Sequence, residues 1–452
     1  MQSINPATGE VIATYAEQPA TEVQRIVESA VAVQAKWRGL DFGERAAPLR
    51  RAASILRRDK ERLAVLMAQE MGKPLEQGRS EIEKCAACCD YFSDHAEQFL
   101  RAEEIRTEAS RSYVLFQPLG VLLAIMPWNF PFWQVVRAVA PALMAGNAVV
   151  LKHASNVCGC ALAIANVFRE AALPEGLFAA VLISSDRVAE LITHPGIAAV
   201  TLTGSTEAGR SVAAAAGAHL KKTVLELGGS DPYVVLDDAD LDATTDFCVT
   251  SRLINSGQSC IAAKRFIVVH SVRAEFETRF VEGMRSRKMG DPLAAGTQIG
   301  PIARLDLRDS LHEQVQRSLQ AGAKLLLGGE VPKGAGAFYP ATVLTHVRPG
   351  IAVFDEETFG PVAAIIEAVD EADAVALANR SVFGLGAAVF TRDSARGERV
   401  AAQLEAGCCF VNDFVRSDAR LPFGGIKASG YGRELSVMGI REFVNAKTVS
   451  VK

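Results

Sequence analysis

Val121-Leu122-Leu123-Ala124-Ile125-Met126 and Ala148-Val149-Val150-Leu151-Lys152 are short, β-rich apolar runs, and Ala179–Ile183 and Ala199–Thr203 repeat the pattern. Between them the text turns helical, at about Asn156–Ala172 and near Val188–Thr193, with turns at Leu173-Pro174-Glu175-Gly176 and His194-Pro195-Gly196. Strands that lie parallel to one another need a crossover, usually a helix, so this alternation predicts a parallel sheet covered by helices. A second α/β set begins after Gly229, with strands expected near Tyr233–Leu236, Arg265–Val269, Lys324–Leu327 and Ala387–Phe390. Two α/β units meeting near residues 226–260 place a cleft at their junction.

Upstream, residues 21–105 read as helical, with amphipathic stretches Thr21–Trp37 and Glu44–Met71, the latter stopping at Met71-Gly72-Lys73-Pro74. Downstream, the segment from about Tyr431 to Lys452 closes on a strand-like Thr448-Val449-Ser450-Val451. Such a strand could pair with another subunit's edge or equally within its own chain.

The 452 residues are 49% hydrophobic and 22% charged, enough for large packed cores in about three domain-sized units. A net charge of −4 and pI near 6.1, with no basic tract longer than pairs such as Arg50-Arg51, give no broad electrostatic reason to bind nucleic acid. Met1–Glu10 lacks the basic start and apolar run of a secretory signal. The apolar stretches around Leu119–Trp128 and Ala138–Leu151 are broken by Pro127, Pro141 and Asn147, too short for a membrane span. The expectation is a soluble, cytoplasmic protein. Nine scattered cysteines do not form a secreted disulfide framework and are expected to be reduced. Cys85 and Cys88 have metal-ligand spacing, but no second pair completes a tetrahedral set, so no metal is expected.

Three segments carry chemistry. Asn255-Ser256-Gly257-Gln258-Ser259-Cys260 sets a cysteine in a polar, glycine-containing turn, whereas inert cysteines usually sit in apolar runs. Glu226, in Val224-Leu225-Glu226-Leu227-Gly228-Gly229, is a carboxylate in an apolar strand; burial there would raise its pKa toward that of a general base, while a solvent-facing glutamate is the bland alternative. In Met126-Pro127-Trp128-Asn129-Phe130-Pro131 two prolines stiffen a loop whose Asn129 could present an N–H to an oxyanion.

Pro127-Trp128-Asn129-Phe130-Pro131, Leu225-Glu226-Leu227-Gly228-Gly229, Gly257-Gln258-Ser259-Cys260, Glu357-Thr358-Phe359-Gly360-Pro361 and Pro422-Phe423-Gly424-Gly425 resemble, in order, the blocks of the aldehyde dehydrogenase superfamily. Within it the text looks most like the succinate-semialdehyde dehydrogenases, notably at Trp128–Arg137, Leu151–Asn156 and Glu226–Pro232. The resemblance implies an α/β fold of two parallel-sheet domains plus a small β oligomerisation element. A cofactor-binding domain would cover 1–110 and 123–228, a catalytic domain 229–430, and the oligomerisation element 111–122 and 431–452. It implies a homodimer or homotetramer acting on a small-molecule aldehyde, with no nucleic acid or membrane partner.

The resemblance further implies that Cys260 attacks the aldehyde, that Asn129 and the Cys260 N–H hold the oxyanion, and that Glu226 activates the water that hydrolyses the thioester. Thr203-Gly204-Ser205 replaces an absent GxGxxG fingerprint; it offers small residues at a helix start, and the resemblance assigns Gly204 and Ser205 to the dinucleotide. Trp128, Lys152, Glu357 and Phe359 are carried over to the same cofactor. Ser155 stands where NAD-preferring relatives often have a glutamate, so NADP is expected to be preferred over NAD, although a serine that merely caps the next helix suits either. Arg137 resembles the arginine that binds the substrate carboxylate, and Ser417 a serine that completes that pocket; a structural glutamate is the commoner partner for such an arginine. Two positions depart from some relatives: Ile254 where a second arginine can stand, which leaves glutaric semialdehyde open as substrate, and Ala262 where a second cysteine can close a regulatory disulfide. A thiol hydrolase would want a histidine base in a partner motif, and none of the seven histidines offers one. A CoA-acylating dehydrogenase is disfavoured by Glu226, and a non-catalytic scaffold by Asn129, Lys152, Glu226, Cys260 and Glu357 together.

Overall fold

The computed structural model describes residues 1–452. Two α/β sheets organise it. The six-stranded sheet runs in the order Gly430–Tyr431, Lys222–Glu226, Ile197–Thr203, Val121–Met126, Ala148–His153, Phe178–Val181. All neighbours are parallel except the outermost Gly430–Tyr431, which is antiparallel to Lys222–Glu226. The strand order reverses at Val121–Met126, which has a later strand on each side. In open parallel sheets such a reversal leaves a crevice beyond the carboxyl ends of the strands. The Trp128-Asn129 loop and the Thr203-Gly204-Ser205 turn both emerge there.

The seven-stranded sheet runs Lys324–Leu327, Thr342–Thr345, Val362–Ala368, Ala263–Val269, Asp231–Val235, Gly386–Phe390, Cys408–Val411. Both of its faces are covered. Val234, Leu236, Ile267, Ala364 and Ile366 belong to one core, while Tyr233, Val235, Phe266, Val268 and Ile365 belong to the other. A strand buried on both faces loses the polar half of its alternation, which is why these runs read as continuous apolar text. Lys222–Glu226 leaves the first sheet and Asp231–Val235 enters the second directly across Leu227–Ser230. The carboxyl ends of one sheet therefore face the amino ends of the other, and the cleft lies between them.

The fold class and most elements follow the sequence, with local differences. Glu44–Met71 is two helices, Phe42–Arg58 and Lys60–Met71, because Asp59 leaves helical geometry (φ −92°, ψ 8°) and pairs with Arg58 and Arg62. Phe42–Arg58 starts with a capping box between Asp41 and Glu44. The helix expected from Asn156 begins as a 3-10 turn, Ser155–Val157, and continues as Cys158–Glu170. Lys324–Leu327 forms, but as an antiparallel, largely exposed edge strand rather than one of the parallel set. Val444–Val451 pairs along its full length with Arg111–Pro118 of its own chain, in a three-stranded sheet closed by Glu103–Glu104. Its other edge is open. No helix is long and apolar enough to cross a membrane.

One buried carboxylate sets the geometry near the cleft. Glu81, on the helix Leu75–Leu100, accepts the N–H groups of Phe132 and Trp133, each at 2.9 Å, and pairs with the fully buried Lys73. These are orphan donors at the start of the helix Trp133–Met144, and a carboxylate there also meets the positive end of the helix dipole. Arg137 is carried one turn further along.

Candidate active site

Cys260 lies after the helix Leu241–Leu253 and the 3-10 turn Ile254–Gly257, three residues before the strand Ala263–Val269. Asn255, Ser256 and Gly257 have φ of 54°, 56° and 77°, three consecutive left-handed residues of which only the last is glycine. Side-chain bonds hold this conformation. Asn255 Nδ2 donates to the Asn129 carbonyl at 2.7 Å and the Gln258 carbonyl at 3.0 Å, and Ser256 Oγ accepts the Gly300 N–H at 2.8 Å. At Gly257 a Cβ would overlap the Gly360 carbonyl, so that block approaches the cysteine loop at backbone contact. Asn129 Nδ2 donates to the Gln258 carbonyl at 3.1 Å, which aims its amide at the loop bearing Cys260.

His153 braces the Asn129 loop. Its Nδ1 accepts the Ala154 N–H at 2.9 Å and its Nε2 lies 2.9 Å from the Pro131 carbonyl, an arrangement that suits the neutral ring; burial pushes its pKa down to about 4. Lys264 braces the other wall: fully buried, it donates to the carbonyls of Ser259 at 2.9 Å and Cys260 at 2.7 Å and lies 3.5 Å from Glu357. Sequence reasoning found neither residue. Each looks like an ordinary strand position, and only the fold shows what it touches.

Burial pushes the Cys260 thiol up to about 12, against the pull of Lys264 and Arg137, so it rests protonated. Glu226, at the end of its strand, is buried with both carboxylate oxygens unpartnered. That choice between solvent and interior, left open by the sequence, is settled: burial holds its pKa well above the carboxylate range, with Arg137 opposing and Glu434 adding to the rise. It is close enough to Cys260 for its charge to raise the thiol's pKa.

A cavity of about 250 Å³ brings together Trp128, Asn129, Gly204, Ser205, Cys260, Glu357 and Phe359, all singled out from the sequence. Trp128 and Phe359 meet edge to face, ring centres 5.7 Å apart. Glu357 accepts the Gly229 N–H at 3.0 Å, and a side chain at Gly228 would collide with it. Ser205 caps the helix Thr206–Ala218 by accepting the Ala208 N–H at 3.2 Å. A second cavity of about 500 Å³ shares Ser205 and adds Lys152, Ser185, Asp186 and Glu207. Lys152 has Ser185 Oγ at 3.5 Å and no carboxylate partner, and burial lowers its pKa. Ser155 stands at the start of the 3-10 turn that follows Lys152's strand, outside the wall of this second cavity. Small residues at a helix start, an edge-to-face aromatic pair and an unpaired lysine suit a dinucleotide phosphate chain and ring. No group of three or more His, Cys, Asp or Glu side chains is placed to hold a metal, and all nine cysteines are free, with Cys85 and Cys88 buried in the Leu75–Leu100 helix.

On the opposite side of Cys260 a third cavity, of about 70 Å³, is walled by Lys84, Trp133, Arg137, Ile254, Ser417 and Phe423, among others. Arg137 forms a buried ion pair with Glu434, lies 3.3 Å from Thr203 Oγ1 and stacks over Phe423 with its guanidinium 4.8 Å from the ring centre. The arginine does have the structural glutamate that sequence reasoning named as the common alternative. Ser417 is present, and it accepts a hydrogen bond from Lys84 Nζ at 2.7 Å.

Comparison with known proteins agrees with this architecture. Residues 1–449 match the model of the aldehyde dehydrogenase family. The chain is 48% identical over 447 residues to a succinate semialdehyde dehydrogenase [NAD(P)+] of Escherichia coli (strain K12), covering 99% of this chain and 97% of that protein. It is 46% identical over 456 residues to a succinate-semialdehyde dehydrogenase [NADP(+)] of Mycobacterium avium (strain 104), covering 99% and 96%. The crystal structure of succinic semialdehyde dehydrogenase from Streptococcus pyogenes in complex with NADP+ superposes with a TM-score of 0.98 at 37% identity, covering 100% of this chain and 99% of that one. The chain belongs to the aldehyde dehydrogenase family.

Proposed function

We propose that the protein oxidises succinic semialdehyde to succinate, with NADP preferred over NAD as oxidant. The observation that carries the reading is that Cys260 is shared by a cavity it lines with Asn129 and by a smaller one it lines with Arg137 and Ser417, with the buried, unpartnered Glu226 near enough to act on its charge. The named activities of relatives up to 48% identical over nearly the whole chain support the substrate and the cofactor. Ser155, which brings no carboxylate to repel a 2′-phosphate, and the unpaired Lys152 support the preference for NADP. Glutaric semialdehyde is the nearest alternative substrate.

In this reading Cys260, once deprotonated, adds to the aldehyde carbon, and the oxyanion is held by the Asn129 amide and the Cys260 N–H. The nicotinamide, when bound, supplies the hydride acceptor that converts the thiohemiacetal into a thioester. Glu226 then takes a proton from a water, which attacks the thioester and releases carboxylate and the Cys260 thiol. Trp128, Lys152, Gly204, Ser205, Glu357 and Phe359 hold and orient the cofactor, and Arg137 and Ser417 wall the substrate side. We assign the cofactor-binding unit to 1–110 and 123–228, the catalytic unit to 229–430, and an oligomerisation element to 111–122 and 431–452. The composition of the three sheets supports that division, except that Gly430–Tyr431 joins the cofactor-side sheet. The open edge of Val444–Val451 supports a homodimer or homotetramer, and nine free cysteines support a cytoplasmic location.

The test is the initial rate of reduced-cofactor formation with succinic semialdehyde, NADP and NAD in parallel, and Cys260→Ala as control. A cysteine-dependent rate that is higher with NADP is expected. Equal or better kcat/KM with NAD would remove the preference, and no rate with either would send the substrate search elsewhere.

A further inference from the structure

Lys264 is a charged group against the cysteine loop to which the mechanism above gives no task. It is the second residue of the strand Ala263–Val269, which is packed on both faces, with Ala263 and Phe266 in one core and Ile267 in the other. Its side chain is fully buried, and a cation at that depth is costly unless its donors are met. They are met here by three acceptors: the Ser259 carbonyl at 2.9 Å, the Cys260 carbonyl at 2.7 Å and the Glu357 carboxylate at 3.5 Å. Three acceptors match the three donors of an ammonium, whereas a neutral amine would leave one unmet. Burial lowers the pKa of Lys264, and Glu357 and Asp231 oppose that fall.

The Ser259 carbonyl and the Cys260 N–H are the two ends of one peptide group. In a planar trans peptide they point in opposite directions, so a cation that fixes the carbonyl on one side also fixes where the N–H points on the other. The Ser259 carbonyl further accepts the Ala262 N–H at 3.2 Å, which leaves it no freedom to turn, while the Cys260 N–H donates to no group of the protein. Hydrogen bonds in series polarise one another, so a carbonyl bonded to an ammonium makes the N–H across the peptide a stronger donor. We propose that Lys264 is a positioning residue for the oxyanion: by holding the Ser259 carbonyl it aims and strengthens the Cys260 N–H toward the aldehyde oxygen as Cys260 adds to the carbon. This deepens the reading above and rests on it, since that reading gives the Cys260 N–H to the oxyanion.

The experiment compares two reactions of the same thiolate in the full-length wild type, Lys264→Met and Lys264→Gln, at one pH and with saturating NADP. The first is aldehyde oxidation, read as kcat/KM for succinic semialdehyde and for acetaldehyde; the second is alkylation of Cys260 by iodoacetamide, read as a second-order rate constant by mass spectrometry. Both scale with the thiolate fraction and with the position of the loop, but only the first builds an oxyanion, so their ratio isolates the oxyanion donor. In Lys264→Met the ratio should fall about ten- to hundredfold, less than the loss of 10²–10³ that follows removal of an oxyanion donor outright. Lys264→Gln, which keeps a donor without the charge, should fall between Lys264→Met and the wild type. Oxidation and alkylation that fall together, leaving the ratio unchanged in whichever variant folds, would mean that the lysine only holds the loop in shape, and would overturn the proposal. A wild type that oxidises acetaldehyde but not succinic semialdehyde removes the proposed substrate, and the acetaldehyde ratio then decides the role of Lys264. A wild type that oxidises neither overturns both.

Discussion

Glu226 carries a buried carboxylate whose oxygens meet no donor, a state tolerated only if the group is neutral or is about to act. With its pKa raised by burial, it holds a proton over a range in which an ordinary glutamate is ionised. Glu226→Gln should therefore have two opposite effects. Turnover falls by about 10²–10⁴, as expected for loss of a general base, and mass spectrometry of the quenched enzyme should find the acyl group on Cys260. Stability changes in the other direction. A carboxylate whose folded pKa lies above its unfolded value contributes fully below the unfolded pKa, and that contribution is lost as pH rises through the folded pKa. The variant, neutral at all pH, should then melt higher than the wild type at pH 8 and no higher at pH 4; a lower Tm at pH 8 would contradict the buried, unpaired state. Glu226 and Cys260 were legible in the sequence because each is the wrong kind of residue for its local text. Lys264 was not, because nothing in its local text says that it will be buried against the Ser259 and Cys260 carbonyls. Glu434 was hidden for a related reason: no local pattern links it to Arg137.

Among elements, the loop from Ile254 to Ala262 is tightly constrained. Its left-handed residues leave Gly257 with φ of 77° and the Gly360 backbone where a side chain would go. Gly257→Ala should cost about 2–5 kcal/mol, combining the left-handed penalty with overpacking against backbone, and should displace Cys260. Thermal unfolding and thiol alkylation rate together test this: a variant with unchanged Tm and unchanged Cys260 labelling would mean that the loop can relax. Elements bounded by breakers were read well, as Val121–Met126 and Val188–Thr193 were, residue for residue. Val362–Ala368 and Thr342–Thr345 were missed. Val362–Ala368 sits mid-sheet between two cores, so its Ala- and Ile-rich text has neither helical period nor strand alternation. Lys324–Leu327 was found but its direction was not, since direction depends on the neighbour it meets.

For the whole molecule, the open edge of Val444–Val451 is the feature that asks for a second copy. An eight-residue strand with one edge unpaired is a template for another chain. Light scattering should give a multiple of the 48.3 kDa protomer mass for the full chain and a smaller multiple once residues 445–452 are removed. A full chain that already runs as a single protomer would end that reading. The same stretch of chain also has a bearing on how the protein is made. Gly430–Tyr431 follows the seven-stranded sheet in sequence yet belongs to the six-stranded one, whose remaining strands are all translated earlier, and Glu434 just beyond it pairs with Arg137 of that earlier part. While the ribosome works through residues 229–429, the first unit waits with an uncovered sheet edge and an Arg137 guanidinium that lacks its carboxylate. The unit that is synthesised first is thus completed last, and a nascent chain stalled before residue 430 would have the exposed edge on which chaperones act.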